Sequence, residues 1–466
     1  MRNRIARLIS GSALLAATAL AAGGAAVASV APAATSGLAV APLARMLSGV
    51  SFATPPTTAQ CEKQLHIACY APFQYHRAYN LGPLYQKGLD GHGQTIVIVD
   101  SFGYQFIRGE LAQFDKSFGL PAPPSFKIIR PAGPVPPFNP KKRPMMAGWA
   151  QETSLDVQYS HAMAPGASIL LVETPVPETL GTHGFPQIVE AENYVINHHL
   201  GNVITQSFAA PEPTFPNAQS ILSLRSAYEN AAANGVSVLA GSGDAGATGA
   251  NSLTPQGFAN TFFLHKVVSW PATDPLVTAV GGTQMHLTSS GAHTRPDTVW
   301  NDTKLFASPA ASGGGLSTIF SRPSYQNGVA AAVGSARGVP DISMSAAVNG
   351  AALVYLDAKA AGGPAGFYLI GGTSEASPLL AGVVAIADQY AGHGLGLLNP
   401  ALYKMAAAHE PGIVDVTKGN NTVTFTQGGS AHTVRGWPAS PGYDLASGLG
   451  TINAALFVPE LAAAAG

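Results

Sequence analysis

Cysteine is scarce in these 466 residues: only Cys61 and Cys69 occur. Two thiols so close in sequence suit a disulfide closing a small loop better than a catalytic thiol or a metal site. Charge is scarce as well. Charged residues make up 11% of the chain, the formal net charge is -1, and there is neither a basic face nor an acidic tail. Nucleic-acid binding is thereby set aside. No apolar run is long and unbroken enough for a convincing membrane span, and internal repeats are absent. Hydrophobic residues, by contrast, make up 46% of the chain, ample for one continuous α/β core at this length.

The N-terminus, MRNRIARLISGSALLAATALAAGGAAVASVAPAA, sets Arg2, Arg4 and Arg7 before a short apolar region and small residues, with Ala26-Val27-Ala28 as a cleavage site. Residues 1–34 therefore read as a secretion signal, and the protein is expected outside the cell. Residues 35–66 begin as an Ala-, Pro-, Ser- and Thr-rich stretch without clear periodicity and read as a linker or short propeptide. From residue 67 to 466, strand-like runs (QTIVIVD, ASILLVE, NVITQS, VSVLA) alternate with helical ones (GELAQFDKSF, PQIVEAENYVINHH, ILSLRSAYENAAANG). The alternation predicts a parallel sheet with helices on both faces, in one large α/β domain. The Gly- and Pro-rich remainder suits surface loops around a site.

Three segments carry chemistry. The run GFYLI leads into Gly371-Gly372-Thr373-Ser374, and an apolar helical run, SPLLAGVVAIADQY, follows. Glycines permit a sharp turn and close approach of a substrate, and Pro378 is tolerable only near a first turn, so a helix must start close to Ser374. Its free N–H groups would face a developing oxyanion. Taken alone, the segment reads first as an ordinary strand-to-helix turn with Ser as N-cap. In ETSLDVQYSHA, Glu152 and Asp156 are four apart and share one helix face. A partly buried pair of this kind would hold a shared proton. The usual alternative is a solvated acidic face. The apolar neighbours Trp149, Ala150, Leu155, Val157, Tyr159 and Ala162, and the absence of Lys and Arg, count against it. Asp244, in Gly241-Ser242-Gly243-Asp244-Ala245-Gly246, follows a strand where open α/β sheets place ligands, and a protonated carboxyl there could donate to an oxyanion. A turn-forming Asp is the alternative.

Together, ExxxD in ETSLDVQYSHAMAPGA, then SGDAG, then GGGLSTIFSRPSYQ with GVPDISM, then GGTSEASPLLAG resemble the sedolisin (serine-carboxyl peptidase) family, over roughly residues 72 to 462. The resemblance implies a subtilisin-like fold and a Ser-Glu-Asp triad. Ser374 would be the nucleophile, Glu152 the general base and acid, Asp156 the group orienting Glu152, and Asp244 an oxyanion-hole donor. It also implies a calcium site in the C-terminal loops, with side chains of Asp415 and Asp444 and main-chain carbonyls of Val416, Ser440 and Gly442. Two departures stand out: Gly371 replaces the usual Ser before Gly-Thr-Ser, and only about residues 29 to 66 lie between signal and core, where sedolisins carry a long folded propeptide.

A histidine-dependent subtilisin is the nearer rival. Asp100 ends a strand, IVIVD, as the subtilisin Asp does, but no His-Gly-Thr-His motif opens a helix. His161 follows Asp156 by five residues, and His183 sits in a Gly- and Pro-flanked loop, so Asp100 reads as structural. The expectation is a secreted, monomeric endopeptidase, stabilised by calcium, acting on protein or peptide substrates in acid. A silent peptidase scaffold serving as a binding protein is the rival from another class.

Overall fold

The computed structural model describes residues 45–47 and 49–466. The secretion signal expected at residues 1–34 lies outside the described residues, as does the first part of the expected linker.

In chain order, the strands of the two main sheets are β1 (Arg45–Met46), β2 (Cys69–Tyr70), β3 (Thr95–Ser101), β4 (Phe126–Ile129), β5 (Ser168–Thr174), β6 (Val203–Gln206), β7 (Ser237–Gly241), β8 (Thr278–Gln284), β9 (Thr298–Val299), β10 (Ile342–Ser345), β11 (Ala351–Leu356) and β12 (Gly366–Gly371). The larger sheet has eight strands in the order β9-β8-β7-β6-β3-β5-β4, with β10 also on β8. All its pairings are parallel except β8 with β9.

Nearly continuous apolar sequence explains why this sheet is covered on both sides. Along β3, Ile96 and Ile98 join one core and Val97 and Val99 the other; on β5, Ile169 and Leu171 face Leu170 and Val172 in the same way. Helices α2 (Ile107–Phe118), α3 (Met145–Met163) and α6 (Thr373–Ala391) line the first core. On the second lie α4 (Phe185–Asn197) and α5 (Ser226–Ala233). The parallel sheet and its two helical layers agree with the sequence expectation.

Three features differ from it. The strand that enters Ser374, β12, is not in the parallel sheet; it belongs to a second, four-stranded sheet, β1-β12-β11-β2, where it pairs antiparallel with β11 and β1. Strand β4 stands at the sheet edge between α2 and α3. The stretch expected as linker contains a helix, α1 (Thr58–Leu65), started by a capping box in which the Thr57 and Gln60 side chains each accept from the other's backbone N–H. A disulfide between Cys61 and Cys69 fastens α1 to β2. Among the described residues no helix is long and apolar enough to cross a membrane.

Candidate active site

The start of α6 is fixed by two glycines. Gly371 closes β12 so near the adjoining chain that a Cβ would lie 2.5 Å from the Ala346 carbonyl oxygen. The Ser usual in the family has no room there without a shift. Gly372, at φ +111°, turns the chain into the helix. Pro378 then lacks the N–H that would bond the Ser374 carbonyl one turn earlier. That carbonyl instead lies 3.4 Å from the Ser207 hydroxyl, which also sits 2.9 Å from Asp156 Oδ1. One hydroxyl has one proton, and the shorter contact with a carboxylate is the stronger.

Helix α3 brings Glu152 and Asp156. Further along, Gly382 on α6 allows close contact: a Cβ there would be 2.5 Å from Met163 Cβ and 3.2 Å from the Ser160 carbonyl oxygen. The Ala-Gly that ends the GGTSEASPLLAG motif is thus a helix-packing device. Asp244 arrives from the end of β7, after Gly243 at φ +113°. Its Oδ1 accepts from the Thr373 amide and hydroxyl, both at 2.8 Å. Ser374, Glu152, Asp156 and Asp244 are therefore gathered at one helix start, and all are buried, with Ser374, Glu152 and Asp156 at 0% exposure. The Ser374 hydroxyl has no hydrogen-bond partner within the described residues.

Burial dominates the electrostatics. It pushes the Asp244 carboxyl up to about 6, although Arg45 and Thr373 favour the charged form. Asp156 is held well above the usual carboxylate range by burial, then by repulsion from Asp100 and Glu152. Asp100 itself is raised to about 7 by burial. At the end of β3 it is a third carboxyl of the cluster, where the sequence suggested a structural role. Glu375, next to the nucleophile position, is raised to about 8 by burial and accepts from the Tyr75 hydroxyl at 2.8 Å.

Neither histidine considered from sequence joins this cluster. His161 is turned towards the Pro121 carbonyl at 2.7 Å and Asp115, and burial lowers it to about 4. His183 is exposed in the loop before α4.

Two participants escaped the sequence reading. Ser207 ends NVITQS and carries no local signal. Arg45 does: it is the only charged residue in the stretch 35–60. Its side chain is 1% exposed, with Nε 3.2 Å from Asp244 Oδ2 and a second nitrogen 3.1 Å from the Asp244 carbonyl oxygen.

The C-terminal loops bring Asp415 and Asp444 to one turn. Asp415 Oδ2 accepts from Gly442 N–H at 2.8 Å, and Asp444 accepts from Ser440, Ala446 and Ser447 N–H groups. An oxygen-only donor set of this kind fits a hard cation. Among the described residues no group of three or more His, Cys, Asp or Glu could hold a metal ion. Main-chain carbonyls must therefore complete any shell here.

No family model matches the chain. Individual proteins do. It is 32% identical to kumamolisin of Bacillus sp. (strain MN-32) over 390 residues, covering 82% of this chain and 62% of kumamolisin. Among solved structures, Pseudomonas sedolisin, a serine-carboxyl proteinase complexed with two molecules of pseudo-iodotyrostatin, superposes with a TM-score of 0.68 at 26% identity, covering 85% of this chain and 99% of that one. The chain belongs to the sedolisin family. A further family relative is tripeptidyl-peptidase 1 of Homo sapiens, 30% identical over 317 residues, or 65% of this chain and 50% of that protein. The chain thus spans less than two thirds of the length of the curated relatives it matches.

Proposed function

We infer that this chain is a secreted serine-type endopeptidase that works in acid through Ser374, Glu152, Asp156 and Asp244. The observation that carries the reading is the convergence on one helix start: Asp244 is bonded to Thr373, while Asp156 is joined through Ser207 to Ser374. Ser374 Oγ attacks the scissile carbonyl carbon as Glu152 accepts its proton and the carbonyl electron pair moves onto oxygen. Asp156 orients Glu152. Protonated Asp244 donates to the oxyanion. Collapse of the intermediate expels the amine, which takes the proton from Glu152, and leaves acyl-Ser374. Water, deprotonated by Glu152, repeats the sequence and releases the acid. A carboxylate is a weaker base than imidazole, so these steps suit acid, where Asp244 also keeps its proton.

The test is hydrolysis of an unfolded protein from about pH 3 to pH 8, with Ser374→Ala alongside. Activity confined to acid is expected, with internal fragments among the products and a loss on the order of 10⁶-fold in the variant. Tripeptides as the only products would change the reading to an exopeptidase. Activity in Ser374→Ala equal to wild type would end it.

Calcium is proposed at the C-terminal loops, held by Asp415 and Asp444 and by the carbonyls of Val416, Ser440 and Gly442. When bound, it ties these loops to the fold and takes no part in bond cleavage. A chelator is expected to lower the melting midpoint by several degrees, and an Asp415→Asn variant should have lost that sensitivity. A melting curve indifferent to chelator counts against the site.

A further inference from the structure

The two halves of the site arrive from different sheets. Asp244 follows β7 of the parallel sheet, whereas Ser374 follows β12 of the four-stranded one, and among the described residues no strand belongs to both. One crossing between them, residues 346–350, joins β10 on the parallel sheet to β11 beside β12. This crossing holds the nucleophile turn. The Ala346 carbonyl accepts from the Gly372 N–H at 2.6 Å, and the Ala346 N–H donates to the Thr283 carbonyl on β8 at 2.9 Å. Where the crossing stands therefore sets where Ser374 stands relative to the parallel sheet.

A carboxylate outside the proposed mechanism grips this crossing. Asp302, three residues past β9, is 5% exposed. Its Oδ2 accepts from the Val348 N–H at 2.7 Å, the Asn349 N–H at 3.3 Å and the Trp300 indole N–H at 2.8 Å. Its backbone leads to the other half of the site. The Asp302 N–H donates to the Ala310 carbonyl at 2.7 Å. The next residue, Ala311, donates its N–H to the Asp244 carbonyl at 3.1 Å and accepts from the Gly246 N–H at 2.9 Å. Asp302 is thus bonded both to the crossing that holds Gly372 and to the chain segment that holds the Asp244 loop.

We propose that Asp302 is a positioning residue of the peptidase, whose buried carboxylate keeps the Ser374 turn and the Asp244 loop at one fixed spacing. The catalytic meaning rests on the peptidase reading; the brace itself does not. The side chain bonds to none of Ser374, Asp156 and Asp244, and acts only through its neighbours. Three arguments support the assignment. An apolar residue would fill the space but leave two amides and an indole without their acceptor, a costly outcome for buried donors. Burial disfavours the Asp302 charge, and the Trp300, Asn349 and Val348 N–H groups pull the other way, so acceptor and donors suit each other. The direct link between the halves is less suited to bracing. It runs from the Thr373 amide and hydroxyl to Asp244 Oδ1, and in the proposed mechanism that carboxyl must also offer its proton to an oxyanion. A spacing held by a third residue leaves Asp244 free for that step.

The experiment compares wild type, Asp302→Ala and Asp302→Asn as full chains, by kinetics on a short peptide in acid and by hydrogen exchange. In Asp302→Ala, kcat per folded molecule should fall about 10²-fold, the effect of a displacement near 1 Å, with KM within about threefold of wild type. Asparagine keeps a neutral acceptor and should bring kcat back to about 3–10-fold below wild type. The Gly372 and Ala311 amides should exchange about tenfold faster or more in Asp302→Ala, while the amides of β3 stay as protected as before. A residue that only stabilises the fold would lower the melting midpoint and leave kcat per folded molecule alone. Wild-type kcat in folded Asp302→Ala, or in Asp302→Asn should the alanine variant not fold, overturns the proposal, as does a loss carried wholly by KM. If Asp302→Ala loosens Gly372 and Ala311 but the wild type cuts no peptide at any pH, the brace stands and the peptidase reading falls. If the wild type cuts peptides and neither kcat nor exchange responds to Asp302, the reverse holds.

Discussion

Burial raises the Asp244 carboxyl to about 6, so it is a donor below that pH and an acceptor above it. In the proposed mechanism the rate should fall as pH rises through this value, because the oxyanion loses its donor. Asparagine in its place keeps an N–H at every pH. Asp244→Asn is therefore expected to be slower in acid by about 10²-fold, the usual cost of a degraded oxyanion donor, and to lose the decline above pH 6. A pH–rate profile of the variant parallel to that of the wild type would assign the decline to another group. Residue identities at this scale were largely legible in sequence, since Ser374, Glu152, Asp156 and Asp244 each stand in a motif. Ser207 and Arg45 were not read, because their roles arise only when β6 and β1 come to lie beside α6; the isolated charge of Arg45 in an otherwise uncharged stretch is the one local sign of it.

At the scale of elements, the packing of α3 against α6 brings Glu152 and Asp156 to the serine helix, and Gly382 is one place where the two helices approach closely. Alanine in a helix interior gains about 1 kcal/mol over glycine by propensity. Here it would place a Cβ 2.5 Å from Met163 Cβ, a clash between atoms rooted on two backbones, and overpacking of that kind costs about 1–3 kcal/mol. The clash should win. Gly382→Ala is expected to lower stability by up to about 2 kcal/mol in denaturant melts and to reduce kcat more than it raises KM. A variant more stable than wild type would mean the helices can part freely. The sequence announced the parallel strands because they are buried on both faces and read as continuous apolar runs. It did not announce that β12 lies in a separate antiparallel sheet, since an apolar run of six residues gives no sign of which edge it will join. Nor did composition reveal α1, although Thr57 and Gln60 carry its capping signal.

At the scale of the whole molecule, buried acids outnumber buried cations among the described residues. Asp100, Glu110 and Asp388 are raised to about 7, and Glu192 and Glu375 to about 8, each chiefly by burial. Each has a folded pKa above its unfolded value, so the folded state binds more protons between about pH 4 and pH 8. The stability these groups contribute is full below the unfolded value and is lost as pH rises through 7 to 8. His161, lowered to about 4, acts in the opposite sense, as do His76 and His286, which burial also lowers. The melting midpoint should therefore fall from pH 4.5 to pH 8, and a midpoint that climbs over this range would contradict the balance of terms. Acids stored uncharged suit the action in acid proposed above.

The bonds that define the site also span long stretches of chain. Thr373 and Asp244 are 129 residues apart, Ser374 and Ser207 167, and Arg45 and Asp244 199. Loops of that size close late in folding, because their entropy must be lost before any contact repays it. The serine, moreover, follows every other member of the cluster in the order of synthesis. A growing chain therefore carries its acids, its arginine and most of its sheet before the hydroxyl exists, and on the proposed mechanism no nascent fragment short of α6 could cut its neighbours or itself.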